Sequence, residues 1–176
     1  MGSGLSRPFG AMTVGITKFN DQKVRRTRQI VTRSALEMCV VQLALAGQAQ
    51  GDFGGIDADI GLGDILIHDL TQVMSGQITA GSRLCIVVPR ADLQRLVLRN
   101  NLHGIVLRAK NPRTRLLSEY LIGLDKVLAD LPQDAIPAAQ EALLILLASA
   151  INGRDGNSAE DTPPQPADET TRYRLH

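Results

Sequence analysis

The chain has 176 residues, 19 of them basic and 18 acidic, and a formal net charge of +1. That balance supplies no overall electrostatic pull toward nucleic acid or an anionic membrane. Aromatic residues are 3% of the total and tryptophan is absent, so the core must be built from Leu, Val, Ile and Ala; the length allows one full domain, and a second would be small.

Residues 1–10, MGSGLSRPFG, show neither an apolar signal region nor a cleavage pattern and are expected to be a flexible arm. Between 11 and 110 the apolar residues come in short runs separated by turn formers: AMTVGITKF, ALEMCVVQLALAG, a Gly/Asp-rich connection GDFGGIDADIGLGD, ILIHDL, MSGQI and RLCIVVPR. Strands at roughly eight- to twelve-residue spacing predict an all-β sandwich or barrel. Cys39 and Cys85, far apart and each inside an apolar run, read as small buried hydrophobes, a pattern that suits the cytoplasm. KVRRTRQIVTR, residues 23–33, is the basic cluster of the chain; without interleaved aromatics it reads as the solvent side of a strand or loop.

Pro89 ends the last clear strand, ADLQRLVLRNN predicts a short helix with Asp92 in its first turn, and LHGIVLR predicts one more strand. From Asn111 the period becomes helical. Asn111 is placed to cap, Pro112 to occupy the first helical position, and Leu117, Leu121, Leu124, Leu128 and Leu131 recur at alternating spacings of four and three. Pro132 stops that helix, and a second, DAIPAAQEALLILLASAING, is expected to end at Gly153 as a left-handed C-cap residue. Residues 111–153 thus predict an antiparallel helical hairpin. Leu116, Tyr120 and Val127 on its first helix, and Leu143 to Leu147 on its second, make apolar surfaces wider than one seam needs. One face is expected on the β domain and the other on a second copy of the chain. No apolar run is expected to span a membrane. Residues 154–176 are polar, Pro-rich and acidic until the basic ending TRYRLH, and predict a disordered linker toward a part of a longer protein.

His68-Asp69 is the first candidate for chemistry. Adjacent side chains on a strand point to opposite faces, so the two cannot share one ion. The other histidines are His103 and His176, and no metal-ligand spacing occurs. A strand-end histidine beside a turn-forming aspartate is the favoured reading. None of Ser34, Ser75, Ser82, Ser118 and Ser149 lies in a Gly-x-Ser-x-Gly elbow, and no glycine run matches a phosphate loop. The expectation is a protein that is not an enzyme, with no metal and no cofactor.

Taken in order, LGDILIHDLTQVMSGQI, SRLCIVVPRADLQ, LHGIVLRAKNPRTRLLSEYLIGLDKVLADLP and AAQEALLILLASAI resemble the N-terminal, cupin-related domain of AraC-type transcriptional regulators. The likeness runs over about residues 11–152. It is carried by the Gly-Asp-apolar strand from Leu62 to Asp69, the Pro-Arg step within Leu84 to Leu93, and Leu102-His103-Gly104. It implies an α+β protein: an N-terminal cupin-like β-barrel (jelly roll) at 11–110, followed by an antiparallel helical hairpin that makes a homodimer. It further implies control of transcription through a C-terminal pair of helix-turn-helix motifs, absent here, so DNA contact belongs to the missing part. A small-molecule effector would bind the barrel. Gln42, His68 and Arg83, polar residues set in or beside apolar strands, are the pocket candidates, although each also suits an outward or structurally hydrogen-bonded position. Leu117, Tyr120, Leu121, Leu124, Leu128, Leu143 and Leu147 are the candidates for the dimer interface. A pure dimerisation module with a filled barrel remains open, as does a cupin-type metal enzyme, which the histidine count argues against.

Overall fold

The computed structural model describes residues 3–156. Ten strands come before the helical pair: β1 (Ser3–Phe9), β2 (Met12–Phe19), β3 (Gln22–Arg26), β4 (Met38–Ala46), β5 (Ala49–Asp52), β6 (Asp57–Ile60), β7 (Ile65–Asp69), β8 (Met74–Ile78), β9 (Gly81–Pro89) and β10 (Ile105–Leu107). Helices α1 (Arg28–Ser34) and α2 (Arg90–Gln94) interrupt them, and α3 (Pro112–Val127) and α4 (Ile136–Gly156) follow. A six-stranded sheet has the order β1-β2-β9-β4-β7-β10 and a four-stranded sheet the order β3-β8-β5-β6. All the pairings are antiparallel. The architecture is α+β.

The six-stranded sheet is covered on both faces, which is why β7 is buried along its whole length and its sequence does not alternate. One face carries Val14, Cys39, Val41, Leu43, Ile65, Ile67, Leu84, Ile86 and Val88. These residues join Leu117, Leu121, Leu143, Leu147 and Ile151 of the helices in the main core. The opposite face carries Ala44, Leu66 and Val106, which join Phe53, Ala58 and Ile60 in a second, smaller core between the sheets.

Several expectations are corrected. The segment expected as a flexible arm forms β1, registered on β2 from Ser3 opposite Lys18 to Phe9 opposite Met12. Phe9 is fully buried, and the Gln140 side chain donates to its carbonyl at 2.9 Å; a buried aromatic and a complete ladder outweigh the Gly/Ser-rich composition. The basic cluster divides into β3 and α1 at Thr27, whose hydroxyl caps the helix by accepting from the Ile30 N–H at 3.3 Å. The Gly/Asp-rich connection contains β6, whose Ala58 and Ile60 point inward while Asp57 and Asp59 face solvent.

The caps of α3 are as expected: Asn111 Oδ1 accepts from the Arg113 N–H at 2.9 Å, with Pro112 behind it. Gly153, however, is not a terminus. α4 runs on to Gly156, into the stretch expected to be linker, and the Arg113 guanidinium lies where a Cβ at 153 would project. That guanidinium donates to the Ser149 carbonyl at 3.2 Å, so the glycine serves a close approach between α3 and α4. The rest of the expected linker, with its basic ending, lies outside the described residues. By length and composition, residues Gln133–Arg154 could cross a membrane, contrary to expectation. Here Leu143, Leu147 and Ile151 of that helix are fully buried against the sheet.

Candidate functional site

Strand register places the three pocket candidates on one face. Gln42 on β4 stands opposite Cys85 on β9, Ala44 opposite Arg83, and Val40 opposite His68 on β7. Since i and i+2 share a face, Gln42, His68 and Arg83 all leave the six-stranded sheet on the side that looks toward the four-stranded one. Thr17, opposite Arg83 on β2, lies on the same side, and the side chains of Thr17 and Gln42 hydrogen-bond the Cys85 sulfur. The ladder between β4 and β9 shifts register between Ala44 and Ala46, a bulge beside Arg83.

Burial acts on each of these side chains separately. Arg83 is 1% exposed, and neither Nη1 nor Nη2 has a hydrogen-bond partner. His68 is 7% exposed, and its Nδ1 likewise has none. Burial, reinforced by His103 and Arg26 and opposed by Asp69, pushes the His68 imidazole down to about 4, so the ring is neutral at physiological pH. Burial raises the Cys85 thiol despite its hydrogen bonds and the nearby Arg83. It also raises Cys39, on the helix-facing side, to about 12. Neither sulfur is a thiolate nucleophile.

The residues that carry the family resemblance do a different job. Asp69 Oδ1 accepts from the Thr71 N–H at 2.9 Å and from the Thr71 hydroxyl at 2.7 Å; its Oδ2 accepts from Arg90 Nε at 2.7 Å. Burial pushes this carboxyl up, but the Thr71 and Arg90 hydrogen bonds outweigh it and leave it below the usual carboxylate value. His103 lies across the same corner. Its Nδ1 accepts from the Asp69 N–H at 3.0 Å, which leaves the hydrogen on Nε2 to donate to the Val73 carbonyl at 2.8 Å. Gly104 follows with φ of +73°, where an added Cβ would stand 2.8 Å from Phe53 Cβ. Asp64 accepts from the Ala109 N–H at 2.8 Å, from Arg108 at 3.0 Å and from the Gly61 N–H at 3.0 Å. These are ties between loops and strand ends. Asp69 is the turn residue expected, whereas His103 entered only as part of the Leu102-His103-Gly104 step, with no role assigned to its ring. Among the described residues no three of His, Cys, Asp and Glu come together as a metal-holding group.

The residues offered for the dimer interface lie mostly inside this chain. Leu117, Leu121, Leu143 and Leu147 are fully buried in this chain's own core, and Leu124 and Leu128 are nearly so. Tyr120 packs against that core and donates its hydroxyl to the Ala139 carbonyl at 2.6 Å, tying α3 to α4. The heptad-like seam is the hairpin's contact with its own sheet. The large apolar side chains left open on the two helices are Leu116, Val127 and Ile145.

Buried polar side chains between two facing antiparallel sheets, with a helical pair packed on the outside, define the class as an α+β domain with a two-sheet β part. The chain belongs to the AraC-binding-like domain family, whose model matches residues 5–152. Its fold is similar to that of the AraC-like transcriptional activator CuxR, with a TM-score of 0.76 at 12% identity over 96% of this chain. The chain spans 59% of that activator's length. A cupin superfamily protein from Desulfitobacterium hafniense DCB-2 matches half of this chain and 77% of its own, at 13% identity and a TM-score of 0.40. No curated protein matches the sequence.

Proposed function

We propose that this chain is the effector-sensing and dimerising part of a cytoplasmic AraC-type transcriptional regulator, without catalytic activity, and that DNA contact belongs to a C-terminal domain of the whole protein. One observation carries the reading: Gln42, His68 and Arg83, on three strands, share the face of the six-stranded sheet that looks toward the four-stranded one, and two of them hold buried polar atoms with no protein partner. A folded chain that keeps such atoms unpaired is suited to a molecule that pairs them. An effector that prefers one arrangement of barrel and helices would then shift a population that tethered DNA-binding domains feel. The homodimer is assigned to the surface of Leu116, Val127 and Ile145, since the inner leucines are occupied.

The second reading, a dimerisation module without a ligand, has its own support in the small apolar core of Ala44, Phe53, Ala58, Ile60, Leu66 and Val106 that fills part of the space between the sheets. Native mass spectrometry of the purified chain separates the two. A two-chain mass carrying a small molecule upholds the sensor, a bare two-chain mass that no metabolite extract alters upholds the module, and a metal-bearing monomer contradicts both.

A further inference from the structure

The outer face of the four-stranded sheet separates its charges by sign. The registers of β3 on β8, β8 on β5 and β5 on β6 line up two outward rows across the sheet. One row is Lys23, Gln77, Gln50 and Asp59; the other is Arg25, Ser75, Asp52 and Asp57. All of these side chains are exposed. Each row begins with a cation on β3 and ends with a carboxylate on β6. Three inter-strand steps, about 14 Å, lie between the two ends, which is farther than the screening length of about 8 Å at physiological salt. Among the described residues, no ion pair joins Lys23, Arg25, Asp57 or Asp59 to another side chain. Within one chain the opposite charges of a row cannot reach each other.

A second copy of the same face supplies what each row lacks. Turned by a two-fold axis that lies between the faces and runs along the strands, the copy sets its β6 over β3 and its β5 over β8. Each row then meets itself reversed. Lys23 faces Asp59 of the second copy, Arg25 faces its Asp57, and the middle residues face one another, Gln77 to Gln50 and Ser75 to Asp52; the symmetry makes every contact twice. A two-fold axis across the strands would set β3 on β3 and bring Lys23 against Arg25, so charge selects the first arrangement, in which the two sheets pack aligned. We infer that the outer face of the four-stranded sheet is a self-association surface whose partner is the same face of a second copy, row on row, joined by Lys23–Asp59 and Arg25–Asp57 ion pairs. Four short strands offer roughly 300 Å² per copy, well under the roughly 800 Å² per partner of a stable complex. The contact is therefore weak between free chains and gains strength where chains are held close together. The helical pair lies on the far side of the six-stranded sheet, so one chain can use both surfaces at once. In a regulator of the kind proposed above, on which this consequence rests, the contact joins dimers seated at neighbouring DNA sites.

The test is sedimentation equilibrium of the purified chain over a wide range of concentration, at about 0.01 M and about 1 M salt, between which the screening length falls from roughly 30 Å to roughly 3 Å. At low salt the weight-average mass of the wild type is expected to climb with concentration to about twice its high-salt value or more. Lys23→Glu sets like charges against each other twice in the interface and is expected to abolish the climb. Adding Asp59→Lys restores it, because the row is complementary again. Adding Asp57→Lys instead, at the same net charge, does not, because the two changes then stand in different rows. All three side chains are exposed, so each variant is expected to keep the wild-type circular dichroism. Leu116→Asp is expected to lower the mass at both salts and to leave the salt-dependent climb, so loss of the helical dimer and loss of this contact are read separately. A wild type that shows no climb at low salt overturns the inference, as does a climb that is the same at both salts. Equal restoration by Asp57→Lys and Asp59→Lys also overturns it, since net charge alone then accounts for the attraction.

Discussion

His68 and Asp69, neighbours on β7, face opposite problems. The folded protein keeps the His68 ring neutral down to about pH 4, while the unfolded chain protonates it near 6.5. The unfolded state therefore gains a proton that the native state refuses, and stability falls as pH drops through the window from about 6.5 to about 4. The loss is on the order of 2 kcal/mol at pH 5 and 3 kcal/mol at pH 4. Urea midpoints measured from pH 7 to pH 4 should show that slope, and His68→Leu should flatten it. Asp69 titrates lower, so its contribution is complete above the unfolded carboxylate value near 3.9 and is lost only as pH falls through its depressed folded value. Replacing it with alanine strands the Thr71 N–H and the Arg90 guanidinium. Arg90 is about one-third exposed and water can partly recover it, so Asp69→Ala is expected to cost about 2–3 kcal/mol in equilibrium unfolding.

At the level of elements, the segment between α2 and α3 is held by side chains more than by its short strand β10. His103 spans from β7 to the loop before β8, and Gly104 lets the chain pass under Phe53. Gly104→Ala adds a left-handed backbone penalty to a 2.8 Å approach to Phe53 Cβ and is expected to destabilise by about 2–4 kcal/mol. Hydrogen exchange should show the loss first at the amides of Asp69 and Ile105. If Gly104→Ala instead left the urea midpoint unchanged, the close packing of this corner would not contribute to stability.

For the whole molecule, the helices have an inner face spent on the sheet and an outer face with apolar side chains still in water. Leu124 is buried, so Leu124→Asp should lose most of its folded population before it reports on association. Leu116 is 59% exposed, and Leu116→Asp should leave monomer stability within about 0.5 kcal/mol while converting a sedimenting dimer to a monomer. A Leu116→Asp chain that still sediments as a dimer would move the interface off this surface.

Much of this arrangement is legible from the residues alone, because the signals concerned are local. Asn111-Pro112 announces the start of α3 through cap chemistry, the Leu117 to Leu131 spacing announces one apolar stripe, and Asp69 announces a turn. The ordered Gly-Asp, Pro-Arg and Leu-His-Gly steps carry the resemblance, and in this chain each holds a side-chain tie between loops and strand ends. Tertiary structure alone decided what the stripe touches: a heptad-like seam looks the same whether it meets another chain or its own sheet, and here the six-stranded sheet takes it. Residues 3–9 had a local mark that the composition hid: they form a hairpin with β2 through the two-residue turn Gly10-Ala11, with Gly10 at φ +61°, and the burial of Phe9 is what the tertiary structure added. Period-two alternation says that Gln42, His68 and Arg83 each lie on one face of a strand or the other; only the register between β4, β7 and β9 brings them to the same face, where burial leaves one arginine charged and without a partner.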